Sequence, residues 1–208
     1  MKSAIILVGG EATRAGGMEK YFFRFKGKTF IERLIDTVRG TVDEILLVTK
    51  SEEQCKRFAH FSPVICVPDI RKGTGPIGGI HAGVLHAKGD LVFIAACDMP
   101  CINRNVIEFL FSRINDHDAI IPCWDHDRLE PLHAVYRREV LLRYLATHTS
   151  LSLRDMVRHL DAHYVSVEDL RKMDPSLSTF TNINRIEDLA CIPETEREPD
   201  SQLDYFRK

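Results

Sequence analysis

The chain has 208 residues, 44% of them hydrophobic, and a formal net charge of −2. That supplies the core of one ordinary domain. A near-neutral charge excludes a global field that would gather nucleic acid, so any phosphate recognition has to be local. No apolar run reaches the ~20 residues that a membrane span requires.

Ala4 to Val8 is short, continuous and β-branched, the pattern of a buried strand. Gly9-Gly10 ends it and opens a loop that carries Arg14, Gly16-Gly17 and Lys20. Thr29-Phe30-Ile31-Glu32 is a capping box that predicts a helix to about Arg39. Glu44 to Thr49 reads as the second strand. Ser51-Glu52-Glu53-Gln54 is a further capping box, with a helix to about His60, and Val64 to Val67 is a third strand.

A glycine-rich loop over 72–79 leads into a helix that starts at about Gly79 and ends near Ala87. Leu91 to Ala96 is the most apolar segment and predicts a central strand ending at Cys97-Asp98-Met99-Pro100. Asn103 is placed to cap a helix running to Ile114. Strands follow over Ala119–Pro122, His133–Tyr136 and His163–Val167, with helices over Glu139–Ala146, Leu153–Leu160 and Glu187–Ala190. The regular alternation in the first half argues for a parallel sheet covered on both faces, and the second half for an antiparallel addition. One domain over 1–192 is expected, followed by a polar, mobile tail over 193–208.

Six cysteines are present (Cys55, Cys66, Cys97, Cys101, Cys123 and Cys191) and no leader-like segment precedes the first strand. Reduced thiols in a cytoplasmic protein are therefore expected. Cys97 and Cys101, the closest pair, lack the spacing of a zinc site.

The opening loop has the composition that an oligophosphate needs. Glycines expose backbone N–H groups, Lys20 supplies a point charge, and Arg14 can grip two oxygens at once. It is no Walker A loop: Gly27-Lys28-Thr29 has the right ending, but Phe22 stands where a glycine is required, so Gly27-Lys28 reads as a turn. Gly73-Thr74-Gly75-Pro76-Ile77-Gly78 fits the dinucleotide pattern, yet it does not directly follow a strand and Pro76 deletes an N–H. A loop that closes over a base or ribose, with Gly75 and Gly78 near the nucleotide, fits it better. Asp98 follows an apolar strand, where α/β sheets place their ligands, and a carboxylate there suits Mg²⁺. Asn182-Ile183-Asn184 puts two amides on one side of an extended segment. Asn184 is placed to complete the metal shell or hold an acceptor, together with Asn182. Glu130 and His133, in Arg128-Leu129-Glu130-Pro131-Leu132-His133, are two more candidates to face an acceptor.

Taken together, Leu7-Val8-Gly9-Gly10, Arg14-Ala15-Gly16, Lys20, Gly75-Pro76-Ile77-Gly78-Gly79-Ile80, Cys97-Asp98-Met99-Pro100, Pro131-Leu132-His133-Ala134 and Asn182-Ile183-Asn184 resemble, in order and spacing, the blocks of the molybdenum cofactor guanylyltransferases, the MobA-like nucleotidyltransferases. The resemblance covers residues 4 to about 190. It implies a Rossmann-like three-layer α/β sandwich of the nucleotide-diphospho-sugar transferase type. It implies an enzyme that uses GTP, Mg²⁺ and a molybdopterin acceptor. Carried over, Leu7, Val8, Gly9 and Lys20 bind the nucleotide, Asp69 lies near the guanosine, and Asp98 holds Mg²⁺ and contacts GTP; Gly10, in the same loop, is a further nucleotide-binding candidate. The catalytic set is then Arg14, Lys20 and Asp98. Three positions depart from the family's pattern: Val8 for a small Ala, Glu19 for Asp, and Ser51 for an Asn after the second strand. The alternatives are a relative that uses CTP or another nucleotide with a different phosphorylated acceptor, or a non-catalytic nucleotide-binding module. No nucleic-acid or membrane partner is expected, and the chain is expected to be a monomer or weak homo-oligomer.

Overall fold

The computed structural model describes residues 1–9, 19–69, 73–125 and 127–192, with Lys20, Ile186 and Cys191 described by their backbone alone. In chain order the elements are β1 (Lys2–Leu7), β2 (Arg24–Phe25), β3 (Lys28–Thr29), α1 (Phe30–Val38), β4 (Glu44–Thr49), α2 (Glu52–Arg57), β5 (Val64–Pro68), α3 (Gly75–His86), β6 (Leu91–Ala96), α4 (Arg104–Ser112), β7 (Ala119–Cys123), β8 (His133–Arg137), α5 (Arg138–Thr147), α6 (Leu153–Arg158), β9 (Ala162–Ser166) and α7 (Val167–Leu170). Short 3-10 turns cover Lys20–Phe22, Ser178–Phe180 and Ile186–Cys191.

Seven strands form one sheet in the order β5-β4-β1-β6-β8-β7-β9. β5, β4, β1 and β6 run parallel. β8 is antiparallel to both β6 and β7, and β9 is parallel to β7. This is the mostly parallel sheet with an antiparallel addition that the sequence predicts. Side-chain alternation along β1 builds both outer layers. Ala4 and Ile6 pack with Ile31 and Leu34 of α1 and Ile107 and Leu110 of α4. Ile5 and Leu7 pack with Ile77 and Ile80 of α3, Leu141 of α5 and Met156 of α6. α3 can lie this close only because Gly83 faces β1: a Cβ there would sit 2.5 Å from Ile5 Cγ2.

The capping box at Thr29 is complete. Glu32 N–H donates to Thr29 Oγ1, and Thr29 N–H donates to Glu32 Oε2 at 2.6 Å. Those hydrogen bonds hold the Glu32 carboxyl below its ordinary pKa. Gly27-Lys28 belongs to a two-residue hairpin between β2 and β3, with Lys26 and Gly27 both at positive φ (51° and 71°).

Three expectations are corrected. α3 begins at Gly75, not at about Gly79, because Pro76 sits in the first turn, where its missing N–H has no intrahelical partner to lose. α2 stops at Arg57, short of His60. The thiols are not all reduced: Cys55 on α2 and Cys66 on β5, with Cα atoms 5.5 Å apart, form a disulfide. The expected tail over 193–208 lies outside the described residues. Among those that are described, no helix is long and apolar enough to cross a membrane.

Candidate active site

Four parallel strands end side by side, and the ladder continues just past them. Val8 N–H donates to Val48 O (2.8 Å), Cys97 N–H to Leu7 O (3.1 Å) and Asp69 N–H to Thr49 O (2.6 Å). These bonds fix where the loops begin. Gly9, Lys50, Asp69 and Asp98 each stand one or two residues beyond a strand end. The loops surround a cleft of about 810 Å³. It opens where the connections reverse: the chain leaves β1 toward β4 and β5, then crosses back to β6 on the other side of β1. Open α/β sheets bind ligands at such a point.

Leu7, Val8, Val48 and Ala96 give the cleft an apolar floor. Glu19, Lys50, Asp69 and Asp98 supply its charged walls. The first turn of α3, with Gly75 and Pro76, forms another wall and starts without a side-chain cap. The partial positive charge of a helix N-terminus therefore lies against the cleft, which suits an anion.

Of the expected nucleotide-binding residues, Leu7, Val8, Gly9, Asp69, Gly75 and Asp98 line this one cleft. Gly78 does not: it is buried within α3, and Gly79 lines the cleft instead. Gly10 and Arg14 lie outside the described residues. Lys20 opens the 3-10 turn after the glycine loop, and its side chain is likewise outside the description.

The Asn-Ile-Asn segment reaches Asp98 through its backbone. Ile183 N–H donates to Asp98 O (2.8 Å). The Ile183 side chain is buried with Phe25, Phe30 and Cys101, while Asn182 and Asn184 on either side are exposed. The two amides thus share a side, as the alternation predicts, next to the Asp98 loop. The other two acceptor candidates do not line the cleft. His133 is fully buried, with its ring edge-on to Phe93 and Phe180, and this corrects its assignment to the acceptor: an imidazole with no exposed surface touches no ligand. Burial drives its pKa down to about 3 and keeps it neutral. The Glu130 carboxylate accepts a hydrogen bond from Trp124 Nε1 (2.7 Å), and burial raises its pKa.

Sequence reasoning missed the network behind the cleft wall. The Glu19 carboxylate accepts hydrogen bonds from Tyr21 Oη, from Gln54 Nε2 (3.3 Å) and from Arg57 Nη1 (2.7 Å). Gln54 Nε2 also donates to Tyr21 Oη (3.0 Å), and its Oε1 accepts from Lys50 N–H (2.8 Å). Burial pushes the Tyr21 hydroxyl up to about 12. The end of the glycine loop is in this way tied to α2 and to the end of β4. The available signal was a glutamine among residues that turn inward. It reads as a capping residue, yet its amide spans two elements. Ser51, the residue in place of the family's Asn, is taken up as the N-cap of α2, its Oγ accepting from Gln54 N–H (3.2 Å).

The donor chemistry fits a hard cation. Asp98 presents a half-buried carboxylate on the cleft wall, and Asn182 and Asn184 offer amide oxygens next to its loop. Mg²⁺ takes oxygen ligands and is commonly held by one or two carboxylates plus substrate phosphates. Among the described residues no cluster of three or more His, Cys, Asp or Glu could hold a metal by itself.

Comparison with known proteins agrees with this geometry. The MobA-like NTP transferase domain matches residues 4–165. A probable molybdenum cofactor guanylyltransferase of Methanosarcina acetivorans is 38% identical over 199 residues, covering 90% of this chain and 88% of the relative. A molybdenum cofactor guanylyltransferase of Desulfosudis oleivorans is 34% identical over 190 residues, covering 90% and 92%. The crystal structure of molybdopterin-guanine dinucleotide biosynthesis protein A from Archaeoglobus fulgidus is 33% identical and superposes with a TM-score of 0.75 over 92% of this chain and 96% of that one. A phosphate-suited cleft at the switch point, motif blocks in order and these relatives converge: the chain belongs to the MobA-like NTP transferase family.

Proposed function

We propose that the chain transfers GMP from GTP onto the terminal phosphate of a molybdopterin-type acceptor and releases pyrophosphate. The observation that carries this reading is one cleft that gathers Gly9, Lys50, Asp69 and Asp98 at the ends of four parallel strands, with Gly75 of α3 beside them. The relatives named as guanylyltransferases supply the choice of nucleotide and acceptor.

The acceptor's phosphate oxygen attacks the α-phosphorus of GTP. The bond from that phosphorus to the bridging oxygen breaks, and the pair of electrons leaves with pyrophosphate. A phosphomonoester has a second pKa of about 6, so the nucleophile is already anionic at neutral pH and needs no strong general base. What remains for the protein is alignment and charge stabilisation. Asp69, beside Lys50 at the ends of β5 and β4, would accept hydrogen bonds from the guanine edge. The first turn of α3 and the Gly9 backbone would hold the phosphate chain, and Lys20 and Arg14 would stabilise its charge. Asp98 and Asn184 would hold Mg²⁺, which would supply charge neutralisation to the triphosphate. Asn182 and Asn184 would orient the acceptor.

The test is pyrophosphate release with GTP, CTP, ATP and UTP in turn, with and without molybdopterin. Acceptor-dependent release with GTP alone is expected. Equal release with CTP, or release that ignores the acceptor, overturns the reading.

A further inference from the structure

The loop from Asp98 to Asn103 joins β6 to α4, and one distant segment holds both of its ends. At the start, Asp98 O accepts from Ile183 N–H. At the finish, Asn103 N–H donates to Thr179 Oγ1 (3.0 Å) and Asn103 Nδ2 donates to Met173 O (3.2 Å). The strap 173–184 therefore spans this loop and carries Asn182 and Asn184 with it.

Thr179 is where the strap meets the sheet. It is fully buried, and its hydroxyl lies 3.3 Å from Nε2 of His133, also fully buried. Thr179 N–H donates to Oδ2 of the buried Asp174 (2.8 Å), whose Oδ1 accepts from Ser176 Oγ (2.9 Å). Between these residues the chain turns through Leu177 at φ 55°, a left-handed conformation that a leucine adopts only when its surroundings compel it. Three buried polar side chains and a strained leucine are costly unless their bonds fix something. His133 stands opposite Ala95 in the β6–β8 ladder, three residues before Asp98. The chain of contacts thus runs from the sheet through His133 and Thr179 to the loop that presents Asp98.

We propose that Thr179 is a positioning residue: by bridging His133 to Asn103 it sets the Asp98 carboxylate against the Asn182 and Asn184 amides, and so sets the affinity of the cleft for a divalent cation with a nucleoside triphosphate. This rests on the functional reading above, and goes beyond it in assigning a role to the buried half of the strap. The hydroxyl touches no substrate. It acts through the backbone of the loop.

The experiment compares wild type with Thr179→Val, which keeps the shape and removes the hydroxyl, and Thr179→Ser, which keeps the hydroxyl. Mn²⁺ binding in the presence of GTP is followed by electron paramagnetic resonance, GTP binding without metal by calorimetry, and the Ile183 amide by hydrogen exchange. Thr179→Val should weaken Mn²⁺ about tenfold, the lower end of what losing an outer partner of a metal ligand does. It should also speed Ile183 exchange, with metal-free GTP binding unchanged. Thr179→Ser should restore both. Should Thr179→Val not fold, His133→Gln, which keeps a nitrogen near the Nε2 position, and His133→Leu, which removes it, read the same link from its other end: Leu should weaken Mn²⁺, and Gln should retain it. Unchanged Mn²⁺ affinity in Thr179→Val, or an equal loss of metal-free GTP binding, overturns the inference. Wild-type protein that binds no Mn²⁺ with GTP overturns the functional reading itself.

Discussion

Replacing Gln54 by Leu removes three hydrogen bonds with little change in volume. The amide of this buried residue holds Lys50 N–H at 2.8 Å, Tyr21 Oη at 3.0 Å and Glu19 Oε1 at 3.3 Å. At a net 0.5–1.5 kcal/mol for each bond, the loss comes to about 3 kcal/mol. For a chain of this size that lowers Tm by roughly 6–12 °C in thermal unfolding followed by circular dichroism. Glu19 and Lys50 both line the cleft, so GTP binding measured by calorimetry should weaken roughly tenfold, equivalent to about 1.4 kcal/mol. Gln54→Glu sharpens the test, because it sets a second carboxylate beside Glu19, and its destabilisation should be greater at pH 8 than at pH 5. A Gln54→Leu protein with wild-type Tm and wild-type GTP affinity would refute the claim that this amide joins the two flanks of the cleft.

The other predictions concern the site and the sheet. Lys20→Ala should reduce GMP transfer by roughly 10²-fold, as loss of a preorganised charge partner does, and Asp98→Asn should raise the Mg²⁺ concentration needed for half-maximal rate; wild-type pyrophosphate release from both proteins would remove these assignments. Gly83→Ala places a methyl 2.5 Å from the fully buried Ile5 Cγ2, and overpacking of this kind should cost about 1–3 kcal/mol, read as a Tm lower by roughly 2–12 °C. His133 is held neutral, with its pKa lowered from 6.5 to about 3, so the unfolded chain binds one more proton than the folded one in that window. Wild type should therefore lose stability as pH falls below about 6.5, with a limiting slope of about 1.4 kcal/mol per pH unit from this group. Denaturant titrations of His133→Leu from pH 7 to pH 4 should lack that one-proton slope; equal slopes would show that the imidazole is not buried as described.

The strands of the parallel half were legible because each is a short apolar run with a local stop. Glu44–Thr49 and Leu91–Ala96 match the structure residue for residue. The Thr29 capping box was legible because both partners lie within four residues. The start of α3 was misplaced because Pro76 reads as a breaker, although in the first turn it costs nothing. The two-residue strands β2 and β3 carry too few side chains for any period to register. His133 stood in a polar-looking segment, and only the fold reveals that β8 carries it between Phe93 and Phe180. The disulfide needs the approach of α2 to β5, which no spacing encodes. The Gln54 and Thr179 networks were hidden for the same reason: each joins residues at least 33 positions apart across the chain. Motif residues that lie on strand ends converge in one cleft because parallel strands end together, and that much can be read in advance.

The central claim is that one polyanion spans the glycine loop and the Asp98 loop. A crystal structure with a non-hydrolysable GTP analogue and Mn²⁺ tests it most directly, since anomalous scattering locates the metal. The account places Mn²⁺ between the Asp98 carboxylate and the α- and β-phosphates, with the Lys20 ammonium on the same triphosphate and the base against Asp69. A nucleotide that leaves Asp98 and Lys20 on separate cavities, or a metal bound away from Asp98, contradicts it.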